Sequence, residues 1–285
     1  MWRCPSCGAD AATPFCGTCG ERRLVESDLT LKHYAEAAAE SVFSWDGRIF
    51  ATLASFVRRP GELTVAYLEG RRKPFLNPLQ LFLLVNVLFF VQQGITNWNT
   101  YSTPFMGHMA QSPYAPLARF IARIRIDQLG LPYEGPELEA YARRFNDAVK
   151  LSAKSLLVLL VPFVTLLITA VRLGRPRQAV VHLTVGFHLT TYLLAVQTIM
   201  LPAFTLVQVV ATARGAPVNE GLIDDISTWL QKLALFAVAI PLLRQAYGAD
   251  RRSAIVQSAL IAYLHLWCVQ GYRLVLLVLT LFTTR

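Results

Sequence analysis

Apolar blocks long enough to cross a bilayer constrain this chain more than any other feature of its sequence. A membrane-spanning helix needs about 20 mostly apolar residues to cover roughly 30 Å of hydrocarbon. Several such blocks are present, and only 16% of the 285 residues are charged. A soluble domain of this length carries roughly a quarter charged residues. The sequence therefore predicts a mainly α-helical, polytopic membrane bundle.

The membrane domain is expected to cover residues 75–285. Its five predicted spans lie near 75–95, 155–171, 178–201, 226–243 and 254–282, with an outer loop at 96–154. The apolar block of the third span continues to Ala213, which is too long for one straight span at about 1.5 Å per residue. We expect its helix to end near Leu201 and the chain to break at Pro202; six spans are the alternative, if this block folds back. We also expect residues 137–150 to run directly into the second span.

The distribution of basic residues predicts the orientation of the spans, because cytoplasmic connections are enriched in lysine and arginine. Such residues precede the first span and follow the second and the fourth. Five spans therefore place the amino terminus in the cytosol and the carboxyl terminus outside. We attribute the net charge of +9 to this topology and to attraction to anionic lipids, and expect no nucleic-acid partner. The candidate contacts for anionic lipids are Arg58, Arg59, Arg71, Arg72 and Lys73.

Residues 1–24 carry two C-x2-C pairs separated by eight residues, which are formed by Cys4, Cys7, Cys16 and Cys19. Each pair is followed by glycine, where a tight turn can aim backbone N–H groups at the thiolates. Four thiolates around one divalent ion form a structural zinc site, so we predict a small zinc ribbon. Two disulfides and a rubredoxin-type iron site remain as alternatives, although a cytosolic amino terminus disfavours disulfides. Because four cysteines fill the coordination sphere, the ribbon is predicted to be structural or to bind a cytosolic protein partner.

Residues 25–74, between the ribbon and the first span, are predicted to form amphipathic helices. Apolar residues recur at a spacing of three to four on one face, at Ile49, Phe50, Leu53, Phe56 and Val57. Pro60 then opens a second short helix that ends at Gly70. Two placements remain open: the helices either pack on the cytosolic ends of the spans or lie in the lipid interface.

Polar side chains inside the predicted spans are candidate functional residues, because they are expensive to bury in a bilayer. These residues are His182, His188, His265 and Arg273. His188 and His265 each lie roughly 15 Å along their helices, near the midplane, where they could share a proton path or a polar pocket. The alternative is that each histidine bonds a neighbouring hydroxyl or carbonyl. Arg273 is expected either in a structural ion pair or at the interface, or in a site for an anionic head group.

No catalytic signature accompanies these residues. The sequence has no pair of membrane carboxylates to serve as a general base, no nucleophile elbow and no phosphate loop. It therefore leaves open whether the protein is an enzyme and favours a non-enzymatic role. An interaction or scaffolding protein is the first hypothesis, and a transporter or lipid-handling protein that uses the midplane histidines and Arg273 is the second. A membrane enzyme is the third.

Several segments, spread over most of the chain, resemble a known family. They are "CPSCG" and "FCGTCG", "RPGELTVAYLEGRRKPFLNPLQLFL", "HLTVGFHLTTYLL" and "AYGADRRSAIVQSALIAYL". Together they are similar to the bacterial inner-membrane family catalogued as domain of unknown function 3667. The resemblance implies a zinc-ribbon amino terminus, several membrane helices and a location in the bacterial inner membrane. It does not point to any particular activity.

Overall fold

The computed structural model describes residues 1–25, 28, 30, 32, 48–96, 100–110, 112–172, 179–215 and 220–284. Across these residues the protein is mainly helical, with one small antiparallel sheet. The elements are β1 (Trp2–Arg3), β2 (Asp10–Ala11), α1 (Arg48–Arg58), α2 (Glu62–Leu68), α3 (Pro78–Thr96), α4 (Phe105–Ala110), α5 (Ala115–Leu129), α6 (Pro136–Ser155), α7 (Leu160–Val171), α8 (Ala179–Ala213), α9 (Glu220–Tyr247) and α10 (Arg251–Thr283). The predicted region 25–74 lies only partly within the described residues.

Within the part of the chain that the structure describes, four helices are long and apolar enough to cross a membrane. They are α3, α8, the Asp225–Tyr247 part of α9, and α10. A fifth candidate combines α6 with the segment Leu157–Val171, which are bent by 67° relative to each other. The predicted fold class, a mainly helical protein with about five spans, is therefore confirmed, and the structure has four or five candidate spans.

The third apolar block forms one continuous helix, α8, so the predicted break at Pro202 is wrong. The fold-back that would have given six spans is absent for the same reason. A proline removes one backbone hydrogen bond from a helix. A break within hydrocarbon would leave several backbone groups without partners, which costs more than the single lost bond. At 35 residues, α8 is about 52 Å long.

The prediction that residues 137–150 run directly into the second span is also wrong. A 3₁₀ turn at Leu157–Leu159 separates α6 from α7, and the chain bends at this point. Pro162 supplies the physical reason, because in an uninterrupted α-helix its ring would clash with the carbonyl of Val158. In the observed structure Pro162 lies in the first turn of α7, where its missing N–H is not needed.

The chain divides into two compact units. The first contains Met1–Gln92 and Val164–Tyr263, and the second contains Gln93–Phe163 and Leu264–Arg285. In the second unit, Phe105 packs edge-on against the rings of Tyr141 and Phe145.

In the first unit, α8 and α9 run antiparallel. The Nδ1 atom of His182 lies 2.9 Å from the Tyr247 hydroxyl, and Gln197 donates to Gln231 at 3.0 Å further along. The side chains of α8 are buried throughout residues 184–194, whereas large apolar residues beyond them are exposed. These exposed residues are Ile199, Leu206, Val207, Val209 and Val210. The helix therefore has one half packed in protein and one half whose surface suits lipid.

Gly186 allows α8 to approach α7 closely. A Cβ atom at this position would lie 2.2 Å from the Thr165 hydroxyl oxygen and 3.3 Å from the Thr165 Cα. Small residues at such points let membrane helices pack with their backbones close together. The contact fixes α7 against the buried half of α8.

We expect Gly186→Ala to lower the stability of the detergent-solubilised protein by about 1–3 kcal/mol through overpacking. Gly94→Ala in α3 is the matched control, because no atom lies within 4 Å of a Cβ built at Gly94. There the better helix propensity of alanine should stabilise by up to about 1 kcal/mol. Thermal unfolding followed by circular dichroism measures both effects. Equal shifts in the two variants would show that the approach of Gly186 to Thr165 carries no packing constraint.

The number of spans determines where the carboxyl terminus lies. The test uses a fluorescent reporter that matures only in the cytosol. With five spans and a cytosolic amino terminus, a reporter fused after Arg285 should not fluoresce, whereas one fused before Met1 should. An alkaline phosphatase fusion after Arg285 should be active. A bright carboxyl-terminal fusion would mean that the bent pair of α6 and Leu157–Val171 enters and leaves on the same side, leaving four spans.

Candidate metal centre and buried polar contacts

The amino-terminal module is built from the same tight turn used twice. In the first turn the Cys4 N–H donates to the Ala9 carbonyl and the Gly8 N–H donates to the Cys4 carbonyl, both at 2.9 Å. The same two bonds recur at 2.8 Å around Cys16. Each turn requires a glycine in the left-handed region, and φ is 77° at Gly8 and 71° at Gly20. The two C-x2-C-G sequences therefore produce two equivalent turns.

The two turns bring the four cysteines together. All four sulfur atoms lie within 4.8 Å of one another, with 3.5 Å between Cys4 and Cys19 and 3.6 Å between Cys7 and Cys16. These distances are too long for disulfides, whose sulfurs are about 2.05 Å apart, and all four cysteines are free. Four sulfurs about 2.3 Å from a tetrahedral ion would be about 3.8 Å apart. The cluster therefore fits one metal ion.

Backbone N–H groups point at the thiols, as the glycine turns predict. The N–H groups of Cys19 and Thr18 lower the pKa of Cys16 to about 6. The pKa of Cys19 is raised to about 12, because the Glu21 N–H, which lowers it, is outweighed by desolvation and by bonds with the other three cysteines. Four thiolates this close repel one another unless a cation lies between them. The donor set and the N–H groups thus suit a divalent cation.

A buried carboxylate attaches the ribbon to the segment before the first span. Glu21 is 3% exposed and accepts hydrogen bonds from the Ser6 hydroxyl at 2.6 Å and from the backbone N–H groups of Arg72 and Lys73 at 2.9 and 2.8 Å. Bonds to an ionised acceptor are roughly twice as strong as neutral ones. The ribbon is therefore held in a fixed position on the turn that leads to α3.

Sequence reasoning missed Glu21. Its only sequence signal is an acidic residue directly after the glycine that follows the second cysteine pair, in a chain that also contains a basic "RRK" run. Its long-range hydrogen bonds come from the backbone of that run and not from the charged side chains, so charge matching would not have found them.

The predicted cluster of basic residues is divided between two environments. The Arg72 guanidinium lies 4.9 Å from the centre of the Tyr67 ring, and Arg71 forms an ion pair with Glu69 at 3.2 Å. The Lys73 side chain lies beside Gly20 of the ribbon. Arg58 and Arg59 are exposed at the end of α1. Arg71, Arg72 and Lys73 thus contribute to local packing, while Arg58 and Arg59 lie at the surface, where Arg59 also pairs with Glu62 at 3.7 Å.

His188 lies on the buried half of α8 and contacts the short helix α2. Its Nδ1 atom is 2.6 Å from the Thr64 hydroxyl oxygen. One turn further along α8, the Tyr192 hydroxyl donates to the Phe56 carbonyl at 2.6 Å, and the Tyr192 and Phe56 rings stack at 3.8 Å. The hairpin formed by α1 and α2 is therefore fastened to α8 at two adjacent turns.

His182 takes part in a different network at the start of α8. It bonds the Tyr247 hydroxyl, and the Arg172 guanidinium lies 4.3 Å from the centre of the Tyr247 ring. Arg172 also donates to the Gln257 side chain at 3.0 Å. Residues of α8, α9 and α10 thus converge on the arginine that follows α7.

His265 and Arg273 belong to the second unit. His265 is buried, and Arg273 donates to the Thr100 carbonyl at 2.7 Å. A cavity of about 160 Å³ adjoins the guanidinium and is lined by Thr103, Gly107, Ser112, Gln270 and Arg273. Because His188 and His265 lie in different units, their predicted shared pocket stays a prediction.

His108 was not predicted as a functional residue, yet it is completely buried near Arg273. Its Nδ1 atom lies 2.9 Å from the Tyr114 hydroxyl. Burial, reinforced by the positive charge of Arg273, lowers the pKa of His108 to about 4. His108 is therefore neutral at physiological pH, beside the positive charge of Arg273.

Comparison with protein families finds one match. Residues 46–90 match the model of a family described as a protein of unknown function (DUF3667), which confirms the resemblance over this segment. The match covers α1, α2 and the first part of α3. No curated protein and no solved structure matches the chain.

We expect the purified protein to contain one zinc ion per chain and to lose it in Cys4→Ser and Cys19→Ser, because each change removes one of four ligands. Cys268→Ser is the matched control: Cys268 is buried in α10, 3.5 Å from the Phe163 carbonyl, and its replacement should leave the metal in place. Elemental analysis by plasma mass spectrometry measures the metal. Iron in its place, or metal loss in the control, would contradict the prediction.

Proposed function

We propose that this protein is an integral protein of the bacterial inner membrane that serves as a scaffold, with a structural zinc ribbon that offers a docking surface to a cytosolic protein. The observation that carries the proposal is the anchoring of the ribbon through Glu21. A loosely tethered module would lose orientational entropy when a partner bound, whereas a module held in place has already lost it. Fixed presentation of a small surface is what a docking site requires.

The composition of the metal cluster supports a structural role. Four thiolates complete a tetrahedral site and leave no position for water or a substrate, in contrast to catalytic zinc sites, which have three protein ligands. Zinc suits this site because it has no redox chemistry and readily adopts tetrahedral coordination. The metal would hold the two glycine turns together and would thereby position Glu21 next to Arg72 and Lys73.

An exposed aromatic residue marks one face of the ribbon. Phe15 is 57% exposed and pairs through its backbone with Arg22. The Arg22 side chain itself forms an ion pair with Asp28, so Phe15 is the residue that offers an anchor, and aromatic residues are enriched in protein interfaces. This face is therefore the part of the ribbon that we expect a partner to contact.

Handling of an anionic ligand is the second candidate function, favoured by the cavity beside Arg273. Two hydroxyl side chains, one amide and one guanidinium line it, and the described lining residues include no carboxylate. Hydroxyl, amide and guanidinium groups together suit a phosphate or carboxylate group. An ionisable residue within a membrane segment is also a functional candidate by default.

A photoreactive amino acid at position 15 tests the scaffold in living cells. We expect irradiation to link the ribbon to one discrete cytosolic protein, identified by mass spectrometry. Glu21→Ala should reduce that product strongly while zinc content and membrane abundance stay unchanged, because the ribbon then keeps its metal but loses its fixed position. A photoreactive residue at exposed Phe120 in α5, on the predicted outer side, is the control and should give no such product.

Two variants separate the candidate functions in a strain whose own gene has been deleted. If the scaffold hypothesis holds, Glu21→Ala should fail to restore the deletion phenotype and Arg273→Gln should restore it. The reverse pattern, at equal protein abundance, would favour ligand handling. A crosslink that is unaffected by Glu21→Ala would contradict the role assigned to the anchored ribbon.

A further inference from the structure

Helix α1 presents part of its apolar stripe outward. Phe50 is 83% exposed and Val57 is 75% exposed, and Ala54 between them is exposed as well. These positions are separated by four and three residues and therefore lie on one face of the helix. In a helix that packs on a protein core this face would normally point inward.

The inward face of α1 is held by two hydroxyl contacts and one ring stack. Thr52 is fully buried, and its hydroxyl oxygen accepts a hydrogen bond from the Leu76 N–H at 2.9 Å. The Ser55 hydroxyl donates to Glu62 at 2.8 Å, and Phe56 stacks on Tyr192. These contacts fix the rotation of α1, so the outward direction of Phe50 and Val57 does not result from a loosely attached helix.

The contact between Phe56 and Tyr192 puts α1 close, along the axis of α8, to the exposed apolar half of that helix. Tyr192, which contacts α1, is seven residues from Ile199, the start of the exposed apolar half of α8. Seven helical residues correspond to about 10 Å. Interfacial helices insert their apolar faces about 5–10 Å into the boundary between head groups and acyl chains. This spacing fits a leaflet boundary at the level of α1. On this placement His188 lies near the same boundary, in contrast to the midplane position expected from the sequence.

The length and charge of α1 suit a helix that lies on a membrane and does not cross it. Its 11 residues correspond to about 16 Å, roughly half of what a span needs. Two exposed arginines, Arg58 and Arg59, follow the stripe. The Arg59 side chain is 75% exposed and forms an ion pair with Glu62 at 3.7 Å. Exposed basic residues beside an apolar face attract anionic lipids.

We propose that the outward face of α1, formed by Phe50, Ala54 and Val57 and followed by Arg58 and Arg59, is a binding surface for the anionic lipids of the adjacent leaflet. The hairpin is thus a half-inserted element, with lipid on one side and the Thr64–His188 and Phe56–Tyr192 contacts on the other. This surface is separate from the ribbon and does not depend on the scaffold function.

Spin-label accessibility in the full-length protein tests this surface. Nitroxide labels are attached to Phe50→Cys and Val57→Cys in a Cys268→Ser background, and the metal content of each variant confirms that the ribbon is intact. Ala12→Cys on the exposed surface of the ribbon is the water reference, and Val207→Cys on α8 is the lipid reference. The protein is reconstituted into phosphatidylcholine vesicles with and without phosphatidylglycerol.

We expect labels at positions 50 and 57 to collide with oxygen and to be shielded from a water-soluble nickel chelate, as at position 207 and unlike at position 12. Phosphatidylglycerol should increase this shielding, and Arg58→Gln with Arg59→Gln should abolish the increase. Nickel accessibility equal to that at position 12 would overturn the proposal. Shielding from both oxygen and nickel would also overturn it, because a protein surface would then cover α1. Shielding that changes neither with phosphatidylglycerol nor in the Arg58→Gln, Arg59→Gln variant would overturn the assignment to anionic lipid.

Discussion

Backbone N–H and C=O groups inside hydrocarbon have no water to bind, so the chain must satisfy them itself. This constraint explains why α8 continues through Pro202, although a soluble helix would more often end there. Buried side-chain hydroxyls need partners for the same reason, and Thr190 and Thr191 of α8 donate to the carbonyls of Gly186 and Phe187, four residues earlier. Side-chain hydroxyl groups of this kind are satisfied within their own helix and need no partner elsewhere.

Features that depend on local sequence could be predicted from it. The ribbon follows from two C-x2-C-G sequences, because each glycine turn forms its own bonds and brings one cysteine pair into position. The long apolar helices follow from the length and composition of their blocks. The wrong predictions at Pro202 and at the junction of residues 137–150 with the second span have one origin: a helix can continue through a proline or begin near it, and the surrounding structure decides between the two.

Features that depend on contacts between distant residues could not be predicted. Glu21 reaches residues 51 and 52 positions further along the chain, and Thr64 reaches His188 across 124 positions. The sequence interpretation had assigned Ile49, Phe50, Leu53, Phe56 and Val57 to one face of α1. The structure divides them, because Phe56 stacks on Tyr192 while Phe50 and Val57 face outward. A hydrophobic pattern identifies an amphipathic helix but does not tell whether protein or lipid covers the apolar side.

The segment between α2 and α3 connects the ribbon, the hairpin and the first span. Its N–H groups at Arg72 and Lys73 are bound by Glu21 of the ribbon, and its N–H group at Leu76 is bound by Thr52 of α1. A change in the metal centre that displaced Glu21 would therefore break the bonds to Arg72 and Lys73. The same short segment would then be bound to α1 through Leu76 and Thr52. The family match at residues 46–90 spans α1, α2 and this segment together. If α1 binds the leaflet as proposed, metal occupancy and lipid binding act on one stretch of backbone, and loss of the metal should weaken the attachment of α1 without altering the long helices.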